Sequence, residues 1–223
     1  MKKVLLFGGG TWHDFPGVAA VLTEALAPVA RVAYTEDSGM LSDRGLKEFD
    51  VLALYTCLFT SDDTLADKSR AALPGHAQHA VESFVAGGKA FLPLHGTICS
   101  FPGWRRLGEM IGMTWMWGEA GHDPQETFTA RWHRSHPLWQ GAEDITLFDE
   151  KYHALRPVRP VDIFMESTWQ DRPQPLGWTT TFGRGRVVYS ALGHTPEAIG
   201  HPGHAALLRR GLAWALRAPH RVH

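Results

Sequence analysis

The chain has 223 residues, of which 44% are hydrophobic and 20% charged, and its formal net charge is -1 at pH 7. That apolar content supports a sizeable core, and the near balance of charge excludes the electrostatic footprint of a protein that binds nucleic acid or an anionic membrane. The cysteines, Cys57 and Cys99, are too few for a disulfide framework, and both sit beside apolar runs that suit buried, reduced thiols.

The chain opens MKKVLLFGGG. Its apolar run is too short and too glycine-rich for a secretory signal, so Lys3–Phe7 reads as a first buried strand of a cytoplasmic protein. No apolar stretch approaches membrane-spanning length. Val18, Val21, Leu22, Ala25 and Val29 keep helical spacing, which predicts an amphipathic helix from Gly17 to about Pro28. Arg31–Thr35 and Asp50–Thr56 read as strands, the second apolar on both faces as in a central parallel strand. Pro74–Ala86 reads as a helix closed by Gly87-Gly88, and Lys89–Leu94 as the next strand. This alternation predicts a doubly wound α/β sheet.

The region Phe101–Gly121 reads as a short helix plus a loop over the rim of the sheet. Thr127–Trp132, Ile145–Phe148 and Asp162–Glu166 read as shorter strands. WTTTFGRGRVVYSA has the run–turn–run shape of a β-hairpin, with strands Leu176–Phe182 and Arg186–Ala191. A last helix from about Pro202 to Arg217 returns to the sheet. These elements predict one domain over residues 1–218, with a frayed tail over 219–223.

Thirteen histidines and nine tryptophans stand out. His76, His79, His201, His204, His220 and His223 read as solvated surface residues, and His136 as loop structure. The informative ones end buried strands. In GGKAFLPLHG the apolar run stops at His95-Gly96, and in RVVYSALGHTPE a strand is followed by Gly193-His194. In an open parallel sheet the carboxyl ends of the strands are where ligands bind, and an imidazole there can pass protons or ligate a metal. In FDEKYHA, Glu150 and Tyr152 share one face of an extended segment, with Asp149 and His153 on the other.

The first loop carries Trp12, His13 and Asp14 after three glycines. It lacks the dinucleotide and P-loop patterns, so a small polar ligand suits it better than a nucleotide. Asp14 reads equally well as a helix cap. Exposed tryptophan suits the apolar face of a sugar, and Trp12 with Trp104, Trp115 or Trp117 would form such a platform. No cofactor is expected. A divalent metal stays open, with His13, His95 and His194 as its ligands, although no short-spaced ligand motif marks a site. There is no G-x-S-x-G elbow, and Cys99 is poorly placed for a nucleophile.

Taken together in order and spacing, VLLFGGGTWHDF, DVLALYTC, GGKAFLPLHG, HPLWQG, FDEKYHA, GRGRVVYSALGHTPE and RGLAWAL resemble the ThuA-like (trehalose utilisation) family, a branch of the class I glutamine amidotransferase-like superfamily. The resemblance implies a flavodoxin-like α/β fold, a mostly parallel sheet flanked by helices. It also implies a role in the use of trehalose and related disaccharides, often alongside sugar dehydrogenases that make keto-sugars. The elbow that carries a cysteine nucleophile in amidotransferases here carries His95, which argues against glutamine hydrolysis by that route.

The leading expectation is an enzyme doing acid/base chemistry on a disaccharide or keto-sugar. His95, His194 and Glu150 are its catalytic candidates, and Trp12, His13, Asp14, Tyr152, His153 and Trp117 its substrate-binding candidates. The alternatives are a non-catalytic sugar-binding or regulatory module and a metal-dependent hydrolase. The expected partner is a small carbohydrate, with a homodimer as the default assembly.

Overall fold

The first strand does not stop where its apolar run stops. β1 spans Lys2–Gly10, because Gly8, Gly9 and Gly10 continue the ladder against Tyr55, Thr56 and Cys57. Gly10 has φ +131°, and a Cβ there would lie 2.1 Å from the Cys57 carbonyl oxygen, so only glycine lets the two backbones run this close. The computed structural model describes residues 1–61 and 67–217. The tail expected to fray, including His220 and His223, lies outside them.

Helix α1 covers Phe15–Leu26 and starts before the predicted first turn, because Asp14 accepts the N–H of Gly17 at 2.9 Å and Pro16 fits the opening turn. β2 (Ala30–Thr35), the short α2 (Asp43–Leu46), β3 (Val51–Cys57), α3 (Gly75–Ala86) and β4 (Ala90–Leu94) follow within a residue or two of the predicted bounds where one was predicted. Every residue of β3 and β4 is buried, as expected for strands covered on both faces. Helix α4 (Arg105–Ile111) and the two-residue strands β5 (Met113–Thr114) and β6 (Gly121–His122) form the rim region. The second half comprises β7 (Glu126–Trp132), β8 (Ile145–Asp149), β9 (Tyr152–His153), β10 (Arg156–Pro157), β11 (Asp162–Trp169), β12 (Arg172–Phe182), β13 (Gly185–Ser190), α5 (Pro196–Gly200) and α6 (Pro202–Ala215).

Nine strands form one sheet in the order β2-β1-β3-β4-β13-β12-β11-β7-β8. It is parallel from β2 to β13 and antiparallel beyond. The predicted hairpin joins the two halves. Phe182 pairs with Gly185 across a turn whose Gly183 has φ +57°, and β13 then lies parallel to β4. This crossover puts the carboxyl ends of β4 and β13 side by side, and with them the two segments that carry His95 and His194. Two small antiparallel pairs, β10 with β5 and β6 with β9, tie the rim region to the segment after β8.

One surface histidine was misread. His204, on α6, is 0% exposed and wedged against α5 and β13, where its Nδ1 bonds the Ala198 carbonyl at 2.9 Å and its Nε2 meets the Ser190 hydroxyl at 3.0 Å. It looks solvated in sequence because it sits near the start of a helix between polar and small residues. It is buried because α5 folds back over it.

Candidate active site at the carboxyl rim of the sheet

His95 is held in a left-handed backbone conformation, φ +44°, at the step from β4 into the following helical turn. A non-glycine residue there carries strain of about 1–3 kcal/mol and persists only where its surroundings fix it. They do: the Tyr189 hydroxyl donates to the His95 carbonyl at 2.9 Å, and the buried ring bonds the Ala191 carbonyl through Nδ1 at 2.7 Å. A carbonyl only accepts, so Nδ1 carries the proton and Nε2 of the neutral ring is a bare acceptor. That nitrogen takes the Tyr152 hydroxyl at 3.0 Å and stands 3.4 Å from a Glu150 carboxylate oxygen.

His194 reaches the same carboxylate from β13. Its Nδ1 lies 3.1 Å from the other Glu150 oxygen, although not aligned along the ring N–H direction of a hydrogen bond. Gly193 before it has φ +120°, and a Cβ there would stand 2.5 Å from the Ile199 side chain, so the turn that aims His194 needs glycine. His13 completes the cluster from the β1 loop, its ring centroid 5.0 Å from that of His95 and 4.6 Å from that of His194. It spends Nδ1 on the Thr11 carbonyl at 3.1 Å, and its Nε2 is buried with no hydrogen-bond partner.

The electrostatics follow from the packing. Burial favours the neutral form of Glu150, but the contact of His194 and, when those rings take up a second proton, the contacts of His95 and His122 outweigh it and hold the carboxyl well below its usual range. Glu150 is therefore ionised at neutral pH. Burial lowers His13 and outweighs the opposing contact of the Cys57 thiol, so His13 is held neutral. Complete burial keeps Tyr152 a protonated phenol. The neighbouring Cys99 thiol and burial push the Cys57 thiol up, which disfavours a thiolate.

The structure thus brings together His13, His95, His194, Glu150 and Tyr152, the last two from one face of a single extended segment. It sends others elsewhere. His153 projects to the opposite side and stacks on Trp169 at 3.8 Å, because alternation along β9 turns it away from Tyr152. The Asp14 carboxylate is engaged as the α1 cap. Trp104 is buried and donates to Glu82 at 2.8 Å, so it is no platform. Trp12 and Trp117 are 61% and 48% exposed, and Trp12 has φ +73°.

Three residues of the cluster were not among the candidates. His122 Nδ1 lies 3.5 Å from Glu150. Asp149, 0% exposed, accepts the N–H groups of Gly193 at 2.6 Å, His194 at 2.9 Å and Glu150 at 2.9 Å. The Tyr55 hydroxyl donates to the carbonyl of Gly193 at 2.8 Å. The signal for Asp149 was its place beside Glu150. Nothing in DVLALYTC separates Tyr55 from a core residue.

One ligand nitrogen from each of His13, His95 and His194 lies within 4.8 Å of the others. His13 and His95 both spend Nδ1 on backbone carbonyls, the outer-shell pattern that orients metal-binding imidazoles. The donor set therefore fits a three-histidine divalent metal centre, with Glu150 beside it. Surface depressions of about 240 and 410 Å³ lie elsewhere, around Leu46 and Ala80 and around Gly39 and Phe49, and include none of these imidazoles.

An open-sheet α/β protein with converging imidazoles and a carboxylate at the strand carboxyl ends belongs to the class whose ligands bind at that rim. The particular family is clear from the whole chain: it belongs to the ThuA family, described as trehalose utilisation, whose model matches residues 3–215. This places it among proteins of carbohydrate metabolism. Among solved structures, a ThuA-like protein from Parabacteroides merdae aligns over 99% of this chain and 92% of its own, at 20% identity and a TM-score of 0.78. A ThuA-like protein from Bacteroides uniformis aligns over 96% and 91%, at 16% identity and a TM-score of 0.69. A β-galactosidase from Bacillus circulans shares the fold over 96% of this chain but only 30% of its own, at 14% identity and a TM-score of 0.58. No curated protein matches. Among the described residues, no helix is long and apolar enough to cross a membrane.

Proposed function

We propose that the protein is an enzyme that moves protons on a disaccharide or its keto derivative. The observation that supports this most is the approach of His95 Nε2 and His194 Nδ1, at 3.4 and 3.1 Å, to the two oxygens of one buried, ionised carboxylate, Glu150. A keto-sugar has acidic C–H bonds beside its carbonyl. A base that removes one such proton leaves an enediolate, and return of a proton to the neighbouring carbon completes an isomerisation. Each positioned acid or base contributes about 10²–10⁴-fold.

His95 is the candidate base, because its Nε2 is the nitrogen without a proton once Nδ1 is committed to Ala191. When that nitrogen takes up a proton, Glu150 offsets the new charge and the Tyr152 oxygen lies within hydrogen-bond distance. His194 is the partner acid. Tyr152 bonds His95 itself, so its role is to orient that ring and relay its proton; the direct donor to substrate is His194, and the unprotonated Nε2 of His13 accepts from a substrate hydroxyl. Trp12 and Trp117 supply apolar surface for the sugar.

A second reading rests on the three imidazole nitrogens. A divalent metal held by His13, His95 and His194 would supply a polarised water for hydrolysis, with Glu150 placed to accept the proton. Incubation with disaccharides and their 3-keto derivatives, followed by product analysis with and without chelator, tests both readings. Isomerised product unaffected by chelator supports the proton-transfer enzyme, and chelator-sensitive cleavage supports the metal hydrolase. Binding with no chemical change identifies a sugar-binding module instead.

A further inference from the structure

The atoms that would do the chemistry are shut away from solvent. His95 is 0% exposed, Tyr152 3% and Glu150 8%, and His13 Nε2 and His194 Nδ1 are buried. No ligand reaches His95 Nε2 while its cover stays in place. One segment, residues 115–122, covers Tyr152 and Glu150. The Trp115 ring packs edge-on against Tyr152 with centroids 5.2 Å apart, and His122 Nδ1 lies 3.5 Å from a Glu150 oxygen.

This segment is lightly held. It leaves the ladder of β5 with β10 and ends in that of β6 with β9, each only two residue pairs long, and such short ladders are marginal on their own. Two contacts pin its outer turn. The Trp117 ring lies 4.6 Å from that of Phe59, and the Arg156 guanidinium holds the Glu119 carboxylate at 2.7 Å. The side chains of that ion pair are 51% and 54% exposed, and exposed pairs contribute little. At Gly118, φ +86°, an added Cβ would meet nothing within 4 Å. The N–H groups of Glu119 and Ala120 both bond the Met116 carbonyl, at 3.0 and 2.8 Å, so the turn is braced within itself and can move as a unit.

We propose that residues 115–122 are a lid over the imidazole cluster, shut in this structure, which lifts to admit a substrate. Lifting carries Trp115 off Tyr152 and His122 off Glu150, and reclosing shuts water out around the bound ligand. Such a local opening requires far less free energy than global unfolding. The proposal rests on the reading of the cluster as the reacting site, but its test uses no substrate, so the two fail separately.

Carbethoxylation of the full chain by diethyl pyrocarbonate at neutral pH, mapped by peptide mass spectrometry, reads the opening. His95 and His204 are matched reporters. Each is 0% exposed, bonds a backbone carbonyl through Nδ1 and accepts a hydroxyl at Nε2 over 3.0 Å. His95 bonds Tyr152 beneath the lid, whereas His204 lies against α5 and β13. Phe59→Ala and Arg156→Met remove the two pins from outside the lid. Phe59→Ala is expected to speed modification of His95 by roughly two- to tenfold and Arg156→Met by a smaller factor, with His204 unchanged. The lid is overturned if neither variant raises the His95 rate selectively, whether both histidines stay at their wild-type rates or rise in step, as they would if the whole domain opened.

Discussion

The buried carboxylate of Asp149 accepts the backbone N–H of His194 at 2.9 Å, joining the end of β8 to the turn after β13. The same side chain accepts from Gly193 and from Glu150. One residue therefore sets both the imidazole and the carboxylate that face each other in the site. Asp149→Asn puts an amide N–H where one of these donors points and leaves that donor unpaired. A loss of roughly 2–3 kcal/mol is expected, together with a changed environment for the His194 ring. Urea denaturation and the imidazole NMR signals check it. A stability within about 0.5 kcal/mol of wild type and unmoved His194 signals would remove Asp149 from this role.

His95→Asn is the informative substitution at the elbow. Asparagine tolerates the left-handed backbone better than alanine does, so the fold should survive. Turnover of a keto-disaccharide should fall by about 10²–10⁴-fold. Product analysis and a thermal melt together decide the matter. Turnover like wild type in a folded His95→Asn protein ends the assignment of His95 as the base.

If the three imidazoles hold a divalent ion, zinc added at about 100 times its dissociation constant should stabilise the fold by roughly 2.7 kcal/mol. His13→Ala should abolish that gain, because it removes a ligand whose Nε2 has no hydrogen-bond partner within the protein. Elemental analysis of the purified protein gives a second readout. A melting temperature indifferent to zinc, with no stoichiometric metal, sinks the hydrolase reading and leaves proton transfer by the imidazoles.

His204 predicts a pH dependence of stability. Burial, its largest influence, lowers it from 6.5 to about 4. The unfolded chain therefore binds a proton through this interval that the folded chain refuses, so stability is lost as pH falls from 6.5 towards 4. The full effect is about 3 kcal/mol. His13 and His136, both also lowered, act in the same direction. Denaturation midpoints of wild type and His204→Gln between pH 7 and pH 4 measure it, using the values that bracket the transition. The variant should show a distinctly flatter profile. Parallel profiles would mean that other groups carry the acid sensitivity.

The first half of the fold was legible because buried parallel strands and amphipathic helices write themselves locally. DVLALYT is apolar on both faces, and HAVESFVAGG carries its own stop. The site was legible where a polar residue interrupts such a pattern, at His95 and His194, and where alternation puts Glu150 and Tyr152 on one face. His204, His153 and Trp104 were misjudged or left open because their surroundings come from elements distant in sequence: a helix folded back over the first, a tryptophan under the second, a glutamate beside the third.

The sequence by itself determined the alternating elements, the family and the strand ends that carry imidazoles, since periodicity and local turn chemistry are properties of neighbours along the chain. Only the tertiary structure decided that β13 lies against β4, which brings His194 beside His95, and that Asp149 and Tyr55 hold the turn between them. That pairing depends on a hairpin crossing back to the parallel half of the sheet, and buried polar contacts across it leave no periodic trace in the residues that make them.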